Sequence, residues 1–245
     1  MCLQYLVLDI DNTLYPRGSG VMEEIGRRIQ IWLCRELNLT WEQATKVRRQ
    51  YLRQHGTTMG GLMADHGVDI RRYLDFVHDI PVEEYLEPNS ALKSMLESIP
   101  LRKAVYTNAT SAHGSRVLSA LGIGERIERI IGIEEVGLHN KFSREAYERM
   151  LALLDVTGSE CVMVEDSPRN LPAAKAVGMT TILVLGGRGI NVMDGVQGAV
   201  DFAVDGVLEI EDVVDQLLRS SSVKEGPSSK NSQGASGCGN SVARA

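Results

Sequence analysis

The chain has 245 residues, with 26 Lys+Arg against 32 Asp+Glu and a formal net charge of −6. Hydrophobic residues make up 43% and charged residues 24%, which excludes a collagen-like or wholly disordered chain. The acidic balance argues against an extended basic surface for a nucleic-acid polymer. No apolar run approaches the roughly 20 residues of a membrane span, so a cytoplasmic protein with no membrane partner is expected.

The first apolar run, Tyr5–Asp9, has no basic leader and is too short for a signal peptide, so it reads as a strand. Helical periodicity then takes over. Met22–Leu37 places Ile25, Ile29, Trp32, Leu33 and Leu37 on one stripe. Trp41–Arg53 follows a capping-box signal, Thr40 with Gln43. Ile70–His78 aligns Ile70, Tyr73, Leu74 and Val77. This block predicts a small helical domain over 17–86, inserted between core segments 1–16 and 87–218. Inside it, Gly56-Thr57-Thr58-Met59 reads equally as a helix–helix turn and as the lining of a leaving-group pocket.

From Lys103 onward strands and helices alternate. Strands are expected at Lys103–Thr107, Arg129–Ile133, Cys161–Glu165, Thr180–Leu185 and Phe202–Val204, and helices at Ser111–Leu121, Ser143–Leu154, Leu171–Val177 and Glu209–Leu218. Near-continuous apolar runs mark parallel strands buried on both faces. The alternation predicts an α/β fold with a doubly wound, Rossmann-like parallel sheet. Gly186-Gly-Arg-Gly189 lacks the Lys-Ser/Thr of a phosphate loop and reads as a plain turn. The four cysteines are scattered, without metal or disulfide spacing. The Ser/Gly-rich stretch 219–245 cannot bury enough apolar surface to offset its chain entropy and is expected to be disordered.

Open parallel sheets bind ligands beyond the C-terminal ends of their strands, and four motifs fall there. Asp9 and Asp11 alternate along a strand and so point to one side. Two close carboxylates repel unless a proton or cation lies between them, and a hard divalent cation such as Mg²⁺ satisfies the pair. An Asp carboxylate also serves as a nucleophile on phosphorus. The competing reading is a pair of turn acids. Thr107-Asn108 ends a strand before a helix, where a hydroxyl and backbone N–H groups suit a phosphate, though the same residues serve as caps. Lys141 alone in a loop would be solvated; aimed at the site, it brings the local positive charge an anionic substrate needs. Glu165-Asp166-Ser167-Pro168 is either a metal-binding pair or a helix cap with Pro just inside. Acids, hydroxyl and lysine together suit phosphoryl transfer.

This pattern resembles the haloacid dehalogenase superfamily of phosphohydrolases with a helical cap. Within it the chain is similar to the pyrimidine 5′-nucleotidase-type group through Asp9–Pro16, His55–Leu62, Pro100–Lys103 before Tyr106–Ala109, and Glu165–Asn170. The resemblance implies that Asp9 is the nucleophile and a Mg²⁺ ligand. It implies that Asp11 is the proton donor and then the base, its carbonyl on the metal, and that Thr107 and Asn108 hold phosphoryl oxygens. Lys141 would offset charge, and Asp166 with Glu165 would complete the metal shell. Specificity would lie in the cap, with Thr57 and Thr58 as substrate contacts. Phe142 departs from the family's usual proline. A halide leaves without a proton, so the acid at Asp11 favours a phosphate ester. The expected substrate is a small phosphorylated metabolite, a pyrimidine nucleoside 5′-monophosphate, with a sugar-phosphate phosphatase or β-phosphoglucomutase-like enzyme as the alternative. A receiver-type signalling domain would be shorter and would lack the helical insertion.

Overall fold

Each apolar run picked out above becomes a strand in the computed structural model, which describes residues 2–223. The six strands are β1 (Tyr5–Leu8), β2 (Arg102–Tyr106), β3 (Arg129–Ile131), β4 (Cys161–Glu165), β5 (Thr180–Val184) and β6 (Phe202–Val204). They form one parallel sheet in the order β3-β2-β1-β4-β5-β6, with Tyr5 in register with Arg102 on one side and Cys161 on the other. The pleat sends alternate side chains to opposite layers. Leu6 and Leu8 pack with α5 (Ser90–Ser98), α6 (Ser111–Ala120) and α9 (Ile210–Val223), whereas Tyr5 and Val7 pack with α7 (Arg144–Leu154) and α8 (Leu171–Ala176). All four β1 side chains are buried, and each leucine contributes roughly 2–3 kcal/mol by leaving water.

The segment between β1 and β2 carries α1 (Val21–Glu36), α2 (Trp41–Gln54), α3 (Thr58–Asp65) and α4 (Ile70–His78) around their own core of Trp32, Leu33, Tyr51, Leu62, Tyr73 and Leu74. The expected capping box is formed, with Thr40 Oγ1 accepting from the Gln43 amide and Gln43 returning the bond. Helix α3 arises where the sequence reading left a turn or pocket lining. Two glycines weaken its propensity, but at Gly61 a Cβ would meet the Tyr51 ring at 2.1 Å, so packing demands the small residue. Helix α5 was likewise not expected; Asn89 caps it by accepting from the Leu92 amide at 3.0 Å.

Three strands stop one residue short of the predicted ends, which leaves Asp9 and Thr107 as the first residues beyond β1 and β2. Helix α9 runs to Val223, past the boundary expected at 218; the remainder of the expected disordered tail, 224–245, lies outside the described residues, as does Cys238. Cys2, Cys34 and Cys161 are free thiols. Among the described residues no helix is long and apolar enough to cross a membrane. Strand order reverses at β1, so the crevice beyond β1 and β4 is where such a sheet offers a ligand site.

Candidate active site

Asp9 leaves β1 directly into that crevice and is buried. Its Oδ2 accepts from Thr13 Oγ1 at 2.8 Å, and its Oδ1 accepts from the ammonium of Lys141. Lys141 is fully buried, the opposite of the solvated loop lysine that its sequence context alone would give. Its Nζ also donates to Glu165 Oε2 at 3.0 Å and lies 5.1 Å from the centre of the Tyr106 ring. Burying an ammonium is costly unless it is paired, and two carboxylates from the ends of β1 and β4 supply the pairing. They also raise the lysine's pKa against the opposing effect of burial.

Three loop contacts hold this lysine. Its backbone N–H donates to Asn108 Oδ1 at 2.9 Å. Asn140 Nδ2 donates to the His55 carbonyl at 3.0 Å. Phe142 packs against Gly56, where a Cβ would fall 1.6 Å from a ring carbon. The Arg169 guanidinium lies over the same ring, 4.9 Å from its centroid, and donates to the Leu52 carbonyl. The lysine loop is thus clasped to the helical insertion.

Asp9, Glu165 and Asp166 each present a carboxylate oxygen within 4.8 Å of the others. Burial first, and then mutual repulsion, raise all three: Asp9 to about 7, Asp166 to about 6, and Glu165 above its ordinary value. Lys141 opposes this at Asp9 and Glu165, and Arg17 and Arg188 at Asp166, without cancelling it. Three buried acids that remain too basic with a lysine among them suit a hard divalent cation with oxygen ligands. Asp166 also receives Arg17, and Arg188 Nη2 donates to its carbonyl at 2.6 Å. The stretch expected as a plain turn, Gly186–Gly189, therefore contributes Arg188 to the site. The competing helix-cap reading of Asp166 and Pro168 fails. Helix α8 starts only at Leu171, with Asn170 at its cap and Pro172 in its first turn.

The Asp11 side chain lies outside the acidic cluster. Its Oδ1 accepts from Tyr15 Oη at 2.6 Å and faces His113 Nε2 at 3.4 Å. Burial alone would raise its pKa, but the hydrogen bonds from His113 and Tyr15 and the electrostatic attraction of His113 hold it below the ordinary carboxylate value. His78, at the end of α4, stacks on His113 with ring centroids 4.9 Å apart. Burial foremost, then repulsion from His113, pushes His78 down to about 3, so this ring stays neutral. Thr107 Oγ1 accepts from the Ala109 amide at 3.0 Å, which orients the hydroxyl at the strand end. Asn108 commits its Oδ1 to Lys141, leaving its Nδ2 for a ligand oxygen.

Between the insertion and the strand ends lies a cavity of about 190 Å³. The core lines it with Asp11, Asn108 and Ala109, and the insertion with Thr57, Thr58, Met59, Arg48, Tyr73 and His78. Thr57 also caps α3, its Oγ1 accepting from Gly60 N at 2.9 Å, so this segment both turns the chain into α3 and lines the cavity. Of the sequence-derived candidates, Asp9, Lys141, Glu165 and Asp166 meet directly, and Asp11, Asn108, Thr57 and Thr58 share the cavity. Arg17, Arg188, His78 and His113 were missed. Tyr15 lay inside a quoted motif, but nothing in the chain order marks the two histidines or Arg188.

The sequence profile of the haloacid dehalogenase-like hydrolases matches residues 3–178. Phosphate metabolism protein 8 of Saccharomyces cerevisiae is 26% identical over 131 residues, which is 50% of this chain and 41% of that protein; the chain thus spans less than half the length of this relative. The HAD-hydrolase YfnB of Bacillus subtilis, bound to magnesium, superposes with a TM-score of 0.60 at 14% identity over 88% of this chain and all of that one. A HAD phosphatase from Thermococcus onnurineus gives 0.58 at 18% identity over 86% of this chain and 98% of its own. At these identities the likenesses show the fold.

Proposed function

Since the chain belongs to the haloacid dehalogenase-like hydrolases, we propose that it is a Mg²⁺-dependent phosphomonoesterase that releases phosphate from pyrimidine nucleoside 5′-monophosphates. The observation that carries this reading is the pairing of two unlike acids. Asp9 lies against a buried lysine and two further carboxylates, whereas Asp11, two residues on, lies outside that cluster and lines the cavity. A nucleophile on one side and a proton carrier facing the leaving group on the other are what ester cleavage needs.

An Asp9 carboxylate oxygen attacks phosphorus, the bond from phosphorus to the leaving oxygen breaks, and an aspartyl-phosphate forms. Asp11 passes its proton to the departing alkoxide. The incoming dianion raises Asp11 by like-charge repulsion, so the acid gains its proton as substrate arrives. Asp11, ionised again, then takes a proton from water; that water attacks phosphorus, the bond to Asp9 breaks and phosphate departs. The ionised Asp11 held by Tyr15 and His113 suits this second step. Thr107 and Asn108 meet phosphoryl oxygens. Lys141 screens the repulsion between carboxylate and phosphate, about 4 kcal/mol per unit-charge pair at about 4 Å and an effective dielectric of about 20. Asp9 and Asp166, with Glu165 beside them and the Asp11 carbonyl, would hold Mg²⁺, which supplies further charge neutralisation when bound. The helical insertion acts as the cap, and Thr57 and Thr58 contact the leaving group.

Phosphate release from UMP, CMP, ribose 5-phosphate and hexose phosphates, with Mg²⁺ and with EDTA, tests this on wild type and Asp9→Asn. Turnover that survives both EDTA and Asp9→Asn refutes the mechanism. Preference for sugar phosphates removes only the nucleotide assignment.

A further inference from the structure

The cavity beside Asp11 is mostly apolar, yet it contains a guanidinium with no acid to answer it. Arg48, on α2, lines it with Met22, Ile25, Leu52 and Tyr73. Arg48 Nη1 donates to the Gly26 carbonyl at 3.2 Å, while its Nε is buried without a hydrogen-bond partner. Among the described residues no carboxylate pairs with it. The side chain as a whole is half-buried, but its Nε is out of water, and a buried donor normally has an acceptor. Thr58, which lines the same cavity, is buried, and its Oγ1 also has no partner. Two unanswered polar groups on an apolar wall are how a pocket orients a specific ligand.

The packing around Arg48 favours this arrangement. Gly26 on α1 lets the guanidinium lie against the helix; a Cβ there would fall 2.9 Å from Nη2 and 3.1 Å from Nη1. With any larger residue at Gly26, the guanidinium would have to move.

Resting on the phosphomonoesterase reading above, we propose that Arg48, together with Thr58, is the specificity element of the cap: it binds an acceptor oxygen, carbonyl or carboxylate, on the edge of a flat leaving group. The apolar wall takes the body of that group, and Arg48 donates to its edge. This accounts for an unpaired arginine in a pocket that the phosphate itself does not need. A pyrimidine ring, with its carbonyl oxygen, is such a group; a bare sugar or an unsubstituted phenyl ring is not.

The test is kinetic, with Arg48→Met and Gly26→Ala compared with wild type on UMP, CMP, ribose 5-phosphate, phenyl phosphate and 4-carboxyphenyl phosphate. Hydrogen bonds to a charged donor predict that Arg48→Met lowers kcat/KM about ten- to hundredfold on UMP, CMP and 4-carboxyphenyl phosphate, chiefly through KM. Phenyl phosphate and ribose 5-phosphate change little. Gly26→Ala keeps the charge but displaces the guanidinium, and gives a smaller loss with the same substrate pattern, so the inference stays testable if Arg48→Met fails to fold. Equal losses on all five esters, or none, overturn it. The nucleotide reading fails separately, if wild type turns over ribose 5-phosphate as well as UMP. In that case the phenyl and carboxyphenyl pair still decides the role of Arg48.

Discussion

Raising the pH of the metal-free protein is expected to destabilise it, through the acids around Asp9. Asp9 titrates at about 7 and Asp166 at about 6 in the folded chain, both raised first by burial. In the unfolded chain both ionise near their ordinary values of about 4. Above that pH the folded state binds the extra protons, so stability falls as pH climbs towards the folded values and then levels off. Integrating from about pH 5.5 to about pH 7.5, Asp9 costs about 2 kcal/mol and Asp166 about 1 kcal/mol. For a chain of this size, about 3 kcal/mol corresponds to a fall in Tm of roughly 6–12 °C. Saturating Mg²⁺ keeps the acids ionised throughout, so its stabilisation should grow with pH. Thermal melts in EDTA and in millimolar Mg²⁺ across this interval, on wild type and Asp9→Asn, measure the effect. Asp9→Asn should lose most of the slope in EDTA. A wild-type slope equal to that of the variant, or a rising Tm, would refute the reasoning.

Lys141→Met removes the partner of two buried carboxylates; stability measured by urea melts should fall by about 3–5 kcal/mol, and kcat should fall by about two to three orders of magnitude. Gly56→Ala pushes a Cβ into Phe142 at a residue with φ of +76°, so it should lower Tm and also reduce kcat, whereas Gly67→Ala, at a positive φ in open space, should affect only Tm. His113→Phe keeps a ring against His78 but removes the hydrogen bond to Asp11. The Asp11 carboxyl should rise, and the acidic limb of the pH–kcat profile should move upward; an unmoved limb would exclude His113 as a positioning residue.

The sheet was readable because its strands are short apolar runs: Cys161–Glu165 is buried on both faces, and there and at the edge strand Phe202–Val204 the predicted bounds are the observed ones. The amphipathic stripe of α1 and the Thr40 capping box were equally local signals. Helix α3 was hidden because Gly60 and Gly61 lower its propensity, and the reason for a glycine, the ring of Tyr51, comes from another helix. The acids stood out because strand ends are where a parallel sheet collects ligands; Lys141, in a loop, stood out only beside them. Arg188, His113 and Arg48 did not, since each gains its role from a neighbour distant in sequence: Asp166, Asp11 and Gly26 respectively. Chain order carries no trace of those meetings.

The clasp between Phe142 and Gly56 bears on how this molecule could be rebuilt. A proline beside the lysine would hold its loop stiff by itself. Here that stiffness is borrowed from the helices, through an aromatic ring seated where only a glycine leaves space. The insertion is therefore not an interchangeable module. A chimera carrying the helices of a relative would keep every acid, the lysine and the hydroxyl, yet would lose the surface against which the lysine's loop is braced. Exchanging specificity in this framework requires moving Phe142 and the His55–Gly56 corner as one unit.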